Sequence, residues 1–276
     1  MREFHILSLG AGVQSTALYL MGMRGELDVE FDACIFADPG DEPQSVYRHL
    51  DYLDSLGGPP IIVRSSGHLG EDIKNGVNST GHSFVSIPAF TKSMTDGRIG
   101  QVRRQCTREY KIAVVEKSIR EDVLGLRRYA HIPKDVRVWQ YVGFSFDEPG
   151  RAARARGRFQ QRGWTDVRFP LIEDGMTRSH CVSYLEEHVP HRVPRSACVY
   201  CPYKSNREWK SLKRNDKAGW DRAVEIDTAL RGDTVFNRKS DEAMYLHKSC
   251  KPLAECYFDD DQLDLFDMEC EGGCGL

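Results

Sequence analysis

The chain has 276 residues, 40% of them hydrophobic and 29% charged, with 38 basic against 41 acidic side chains and a net charge of −3. This is the composition of an ordinary soluble globular chain, long enough for one large domain or a domain plus an extension. It excludes a general affinity for polyanions, so basic stretches must be judged locally.

The opening "MREFHILSLG" has only a short apolar run and reads as a first strand, not as a signal peptide. No run approaches the roughly 18 apolar residues that span a bilayer, and a cytoplasmic protein without membrane contact is expected. Nine cysteines, an odd number with no export signal, argue against a disulfide framework. The clustered ones point to metal ligation or thiol chemistry. Cys34, inside "DACIFAD", reads as a small buried hydrophobe.

In chain order, "FHILSLG" (4–10) reads as a strand and residues 13–24 as a helix, with apolar side chains at Val13, Ala17, Leu18, Leu20 and Met21. A second strand (31–38), a helix (43–57) and a third strand (60–65) follow. Residues 106–125 read as a helix closed by Gly125, and 136–148 as a strand with its exit loop. Residues 150–163 hold five arginines and no acid. Residues 177–188 and 205–231 read as helical, and the tail is acidic, then rich in Gly and Cys. The alternation predicts an α/β fold, a parallel twisted sheet with helices on both faces, followed by a helical Cys-rich C-terminal region. The expected division is 1–204, a nucleotide-binding domain with a cysteine cluster, and 205–276, a helical extension with the cysteine-containing tail.

Ligands in such sheets bind beyond the C-terminal strand ends. Two motifs lie at such ends. "SLGAGVQSTAL" (8–18) places Gly10, Ala11 and Gly12 between a strand and a helix, where backbone N–H groups and the helix end favour an anion. Ser8, Ser15 and Thr16 add hydroxyls, and Gln14 adds an amide. A strand-to-helix turn without ligand is the structural alternative. In "FADPGDEP" (36–43), Asp38 and Gly40 suit a carboxylate receiving ribose or adenine donors, or a metal; a strand-end turn would use the same residues.

Together these two stretches resemble the phosphoadenosine phosphosulfate (PAPS) reductase branch of the PP-loop, or adenine nucleotide α-hydrolase-like, superfamily. Four later stretches fit the same order: "RQCTREYKI" (104–112), "GFSFDEPGRA" (143–152), "PLIEDGMTRSHCVSYLEEHVP" (170–190) and "CVYCP" (198–202). The second resembles the reductases' GxRxxES loop and brings in Gly143 and Glu148. The resemblance covers roughly residues 4 to 210 and implies an adenine-nucleotide ligand, ATP or PAPS-like. Gln14 stands where many PP-loop enzymes have Asp, and is reminiscent of the reductase branch. The sequence departs from the reductase pattern in three ways: a single Cys106 followed by Thr107 replaces a tandem pair, Glu148-Pro149 stands for the ES pair, and the tail is "ECEGGCGL" in place of an ECG[IL]H ending.

Cys198 and Cys201 form a CxxC, the bite that places two thiolates on one metal or cluster. Cys106 and Cys181 are the nearest further candidates, and Cys270 or Cys274 could replace Cys181. Four thiolates suit zinc or a [4Fe–4S] cluster, and the resemblance favours the cluster. Arg103, Arg104, Arg108 and Lys111 around Cys106, with Arg154 in the second basic stretch, suit phosphate or nucleic-acid contacts. The second stretch reads as an arm closing over such a ligand or as a solvated loop. "QLDLF" (Gln262–Phe266) matches the short peptide that docks on the bacterial sliding clamp; packing on the chain's own domain is the alternative.

Three functions follow. In a reductase-like enzyme, Cys270 or Cys274 attacks the sulfur of an adenylyl sulfonucleotide and a thiol donor such as thioredoxin resolves the product. In an ATP pyrophosphatase, Mg²⁺–ATP adenylylates a nucleic acid for thiolation. The third is a nucleotide- and redox-sensing protein without catalysis.

Overall fold

The computed structural model describes residues 1–82, 87–159, 162–232 and 242–258. The first half runs β1 (Arg2–Ser8), α1 (Val13–Met23), β2 (Ala33–Ala37), α2 (Gln44–Ser55), β3 (Ile61–Arg64), α3 (Leu69–Lys74), β4 (Phe90–Ser93) and β5 (Ile99–Gln101). Helix α4 (Ala113–Ser118) is flanked by wider helical turns at Arg108–Ile112 and Ile119–Val123. Then come β6 (Val136–Val142), α5 (Pro149–Phe159), β7 (Thr165–Arg168), α6 (Pro170–Glu173), α7 (Arg178–His188), α8 (Asn206–Asn215), α9 (Lys217–Ala229) and β8 (Glu242–Tyr245).

Five strands form a parallel sheet in the order β3-β2-β1-β6-β7. The chain moves outward from β1 through β2 to β3, then returns to lay β6 on the other side of β1. The strand order therefore reverses between β1 and β6, which opens a crevice at their C-terminal ends. β1 and β6 pair along their whole length, from Arg2 opposite Val136 to Ser8 opposite Val142.

Strand alternation sorts the core into two layers. Leu7, Cys34, Phe36 and Tyr141 face one cluster with α1, α2 and α7. Ile6, Ala33, Ile35, Val136 and Val138 face the other, against Val114, Val115 and Ile119 of the α4 region. β2 is buried at every position, as its unbroken "ACIFA" requires of a strand covered on both faces. Cys34 is fully buried, as its apolar surroundings suggested.

Outside the sheet, β5-β4-β8 form a small antiparallel sheet. It borders another core, in which Leu69, Ile73, Tyr110, Val199 and Tyr200 pack with Trp209, Trp220, Ile226 and Met244. That core takes residues from both sides of 204, so the expected division there is not a division of cores.

One expectation is corrected: residues 149–159 are a helix, α5, and not a loop, since Ala152, Ala155 and Phe159 recur at helical spacing and are buried. The 205–231 stretch is helical as expected, as two helices broken at Asp216, whose carboxylate accepts from Gly219 N (2.8 Å) and caps α9. Among the described residues no helix is long and apolar enough to cross a membrane.

Candidate functional site

β1 ends at Ser8, and the loop to α1 is held open by its own backbone. Ala11 is fully buried with φ +52°, a left-handed conformation that costs a non-glycine residue on the order of 1–3 kcal/mol. The N–H groups of Gly10 (3.1 Å) and Gly12 (3.3 Å) converge on Ser15 Oγ. Gly12 caps α1 in extended conformation, leaving the first-turn N–H groups of α1 facing the same place. From across the switch point Gly143 closes on this turn. A Cβ there would lie 2.8 Å from Ser15 N and 2.9 Å from the Gln14 carbonyl carbon, so only glycine fits.

Two hydroxyls border the loop without a partner. Ser8 Oγ and Ser196 Oγ are buried and make no hydrogen bond among the described residues. The backbone N of Ser196 lies 3.9 Å from where a Gly12 Cβ would be. Buried hydroxyls are normally satisfied, so these two are exceptions among the described residues. Ser196 carried no motif in the sequence; only the fold brings it to the loop.

Gln14 reaches across the crevice. Its Nε2 donates to Glu148 Oε2 (3.2 Å) and to Ser145 Oγ (3.5 Å). Glu148 Oε2 also accepts from Ser145 N (3.2 Å) and Ser145 Oγ (3.0 Å), and its Oε1 from Arg151. Glu148 is thus engaged on both oxygens. It is a tie between the β1 and β6 loops. Thr16 is also turned away from the loop: it is fully buried and its hydroxyl meets His49 Nε2 at 3.0 Å. His49 Nδ1 lies 2.9 Å from His191 Nε2.

Asp38 ends β2 beside the loop. Its Oδ1 accepts from Gly40 N (2.8 Å) and Tyr47 OH (3.0 Å), leaving Oδ2 without a hydrogen bond among the described residues. Gly40 does turn work. Its φ is +97°, and a Cβ would strike the His68 ring at 2.9 Å.

No protein-family model matches the chain, and no curated protein or solved structure matches it. The site is therefore argued from its own geometry.

Cys106 begins the α4 helical region and Cys198 and Cys201 lie after α7, yet these three thiols share one neighbourhood. Cys201 N donates to Cys198 O (2.9 Å), closing the CxxC turn. Burial pushes the Cys198 thiol well above its ordinary range. Glu42 pushes it further, Lys111 opposes, and Cys201 and Cys106 add to the rise. Lys111 is not a solvent-facing phosphate contact. It is mostly buried and pairs with the wholly buried carboxylate of Glu42 (3.2 Å).

Cys181 does not join this group. It packs in the first core cluster with Leu18 and Leu185, and its charged neighbours are Asp147, Arg178 and Glu148. Burial pushes its thiol to about 11. Among the described residues no three His, Cys, Asp or Glu side chains are arranged to hold a metal ion. The described thiols therefore do not by themselves fit a [4Fe–4S] cluster or a four-thiolate zinc, and no step is assigned to either. Cys270, Cys274 and the Gln262–Phe266 peptide lie outside the described residues.

Of the expected basic contacts, Arg103 and Arg108 are exposed and Arg104 lies over the Tyr203 ring (5.7 Å). Arg154 is exposed on α5. A cavity of about 510 Å³ lined by Arg120, Tyr129, His131 and Trp164 lies elsewhere, where β6 and β7 begin. That is the sheet edge opposite the glycine loop, away from the converging groups described above.

Proposed function

We propose that the chain is an enzyme of adenine-nucleotide-dependent sulfur chemistry, of the PAPS-reductase type. The observation that carries the reading is the loop at the switch point. There the N–H groups of Gly10 and Gly12, which a phosphate would take over from Ser15 Oγ, the buried Ala11 at φ +52° and the orphaned Ser8 and Ser196 hydroxyls are the groups suited to phosphate oxygens. Asp38 Oδ2 stands at the neighbouring strand end, where it would accept from ribose or adenine.

In this reading the loop binds and orients the nucleotide, and Gln14 with Glu148 keeps the two loops at fixed separation. A cysteine thiolate of the tail, Cys270 or Cys274, attacks the sulfonucleotide sulfur. The S–O bond breaks, the nucleotide leaves as its phosphate, and the thiol carries the sulfonate. A second thiol, from the tail or from a thioredoxin-like donor, then displaces sulfite and leaves a disulfide. An ATP pyrophosphatase that adenylylates a nucleic acid is the second reading, favoured by the basic face of α5. There, Mg²⁺–ATP would transfer its adenylyl group to a nucleic-acid oxygen and release pyrophosphate.

Anaerobically purified full-length protein is incubated with PAPS and reduced thioredoxin, and separately with Mg²⁺–ATP with and without DNA or tRNA. Sulfite release is expected. Pyrophosphate release that depends on nucleic acid would replace the first reading by the second, and loss of both activities on retained nucleotide binding would leave a sensor.

A further inference from the structure

Helix α5 presents three kinds of arginine. Arg151 is spent on Glu148 and the Phe144 ring (4.5 Å), and Arg156 lies over the Phe169 ring (5.4 Å). Arg154 and Arg158 do neither. They are four residues apart, so they stand one above the other on a single side of the helix. Both are exposed, and among the described residues neither pairs with a carboxylate.

That side of α5 faces the start of the α4 region. Beyond the end of α5, Arg162 forms an ion pair with Glu116 of α4, which fixes the two segments side by side. Arg154 and Arg104 act on Arg158, and Arg108 acts on Arg162 beside its partner Glu116, so the start of the α4 region brings further guanidiniums toward α5. Of the acids nearby, Glu116 is taken by Arg162 and Glu148 by Arg151, while Glu109 accepts from the Ser79 hydroxyl (3.4 Å) and keeps its charge.

We propose that the facing sides of α5 and the α4 region form a groove for the phosphate backbone of a nucleic acid, with Arg154 and Arg158 as its central contacts. Like charges held together repel, and a bound polyanion removes that cost. The chain as a whole is at −3, so this is a local concentration and not a consequence of composition. Arginines one helical step apart are spaced about 6 Å along the axis. Such rows suit successive phosphates of a strand, where a mononucleotide would occupy one pair. The groove begins at Pro149, directly after Glu148, and so opens beside the glycine loop. It rests on the proposed nucleotide site only for what the bound strand would meet there.

The test is fluorescence anisotropy with full-length protein and three labelled probes: a single-stranded DNA, its duplex and a tRNA, at about 50 and 200 mM salt. The wild type is expected to bind at least one probe, more weakly at the higher salt. Arg154→Glu/Arg158→Glu should weaken that binding by about tenfold or more and flatten its salt dependence. Arg154→Gln/Arg158→Gln, made in case the glutamates disturb folding, should do the same to a smaller extent. Arg98→Ala, on the small sheet, should change nothing. ATP binding is measured on each protein. Oligonucleotide binding without ATP binding would sink the nucleotide reading and leave the groove standing. The groove is overturned if the wild type binds no probe at the lower salt, if the double variants bind as the wild type does, or if Arg98→Ala loses as much.

Discussion

Gln14 illustrates how one side chain depends on what the fold places opposite it. Its amide donates to Glu148 across the crevice, 3.2 Å away. An acidic residue there would set two carboxylates against each other, and Arg151 is already paired with one of them. Gln14→Glu, of the same length, should therefore destabilise the protein by about 1–3 kcal/mol and weaken nucleotide binding. Adding Glu148→Gln should recover most of both. Urea unfolding and calorimetric ATP titration of the two single variants and the pair would measure this, and strict additivity would show that the residues do not interact. His49 makes a different prediction. Burial first, and the adjacent His191 second, push its pKa down to about 4, against about 6.5 for an unfolded histidine. Between those values the unfolded chain binds a proton that the folded chain refuses. Stability contributed here is complete above about pH 6.5 and falls as pH drops toward 4. Thermal unfolding between pH 7.5 and 4.5 should show that loss, and His49→Gln should reduce it; an unchanged slope would remove His49 from the account.

At the scale of elements, the joint between β6 and α1 decides whether the loop keeps its shape. Gly143→Ala puts a methyl carbon 2.8 Å from Ser15 N, against backbone that cannot swing aside. The expected result is a cost of about 1–3 kcal/mol in stability and loss of nucleotide affinity, read by thermal shift with and without ATP. Retained affinity would mean that the two loops do not act as one site. The glycines, the Gln and the strand ends were legible in sequence because each carries a local signal: a turn, a helix start, a buried run. Ser196, Glu42 and the β4–β8 pairing were not. Their roles come from segments more than 60 residues away: Gly12 for Ser196, Lys111 for Glu42, and for β4 a strand more than 140 residues on. The arginines of 150–163 were visible as a charge run, but their sorting depended on seeing Ala152, Ala155 and Phe159 as a buried helical stripe. Cys181 misled for the opposite reason. Its spacing in sequence suited a fourth ligand, while its helix face belongs to the core beneath α1.

The molecule as a whole is organised by two cores that share the site between them. The main sheet sets the glycine loop, Gly143 and Asp38, while the core around Trp209 holds the Cys198–Cys201 turn in place. Asp41 joins them: its backbone carbonyl accepts from Val199 N (2.8 Å), and its carboxylate pairs with Arg222 of α9 (3.1 Å). Helices α8 and α9 are therefore not an appendage. A chain ending at residue 204 keeps the five strands but loses Trp209, Leu212, Trp220, Ala223 and Ile226, all buried against residues before the cut. It would expose Leu69, Ile73, Tyr110 and Tyr200, and burial of each such side chain is worth about 1.5–3 kcal/mol, together comparable to the whole stability of a domain. The shortened chain should fail to give a cooperative unfolding transition and should bind no nucleotide, although the loop sequence is intact. Circular dichroism melts and ATP titration of the two lengths would decide it. A 204-residue chain that melts cooperatively and binds ATP like the full protein would show that the second core is independent of the first.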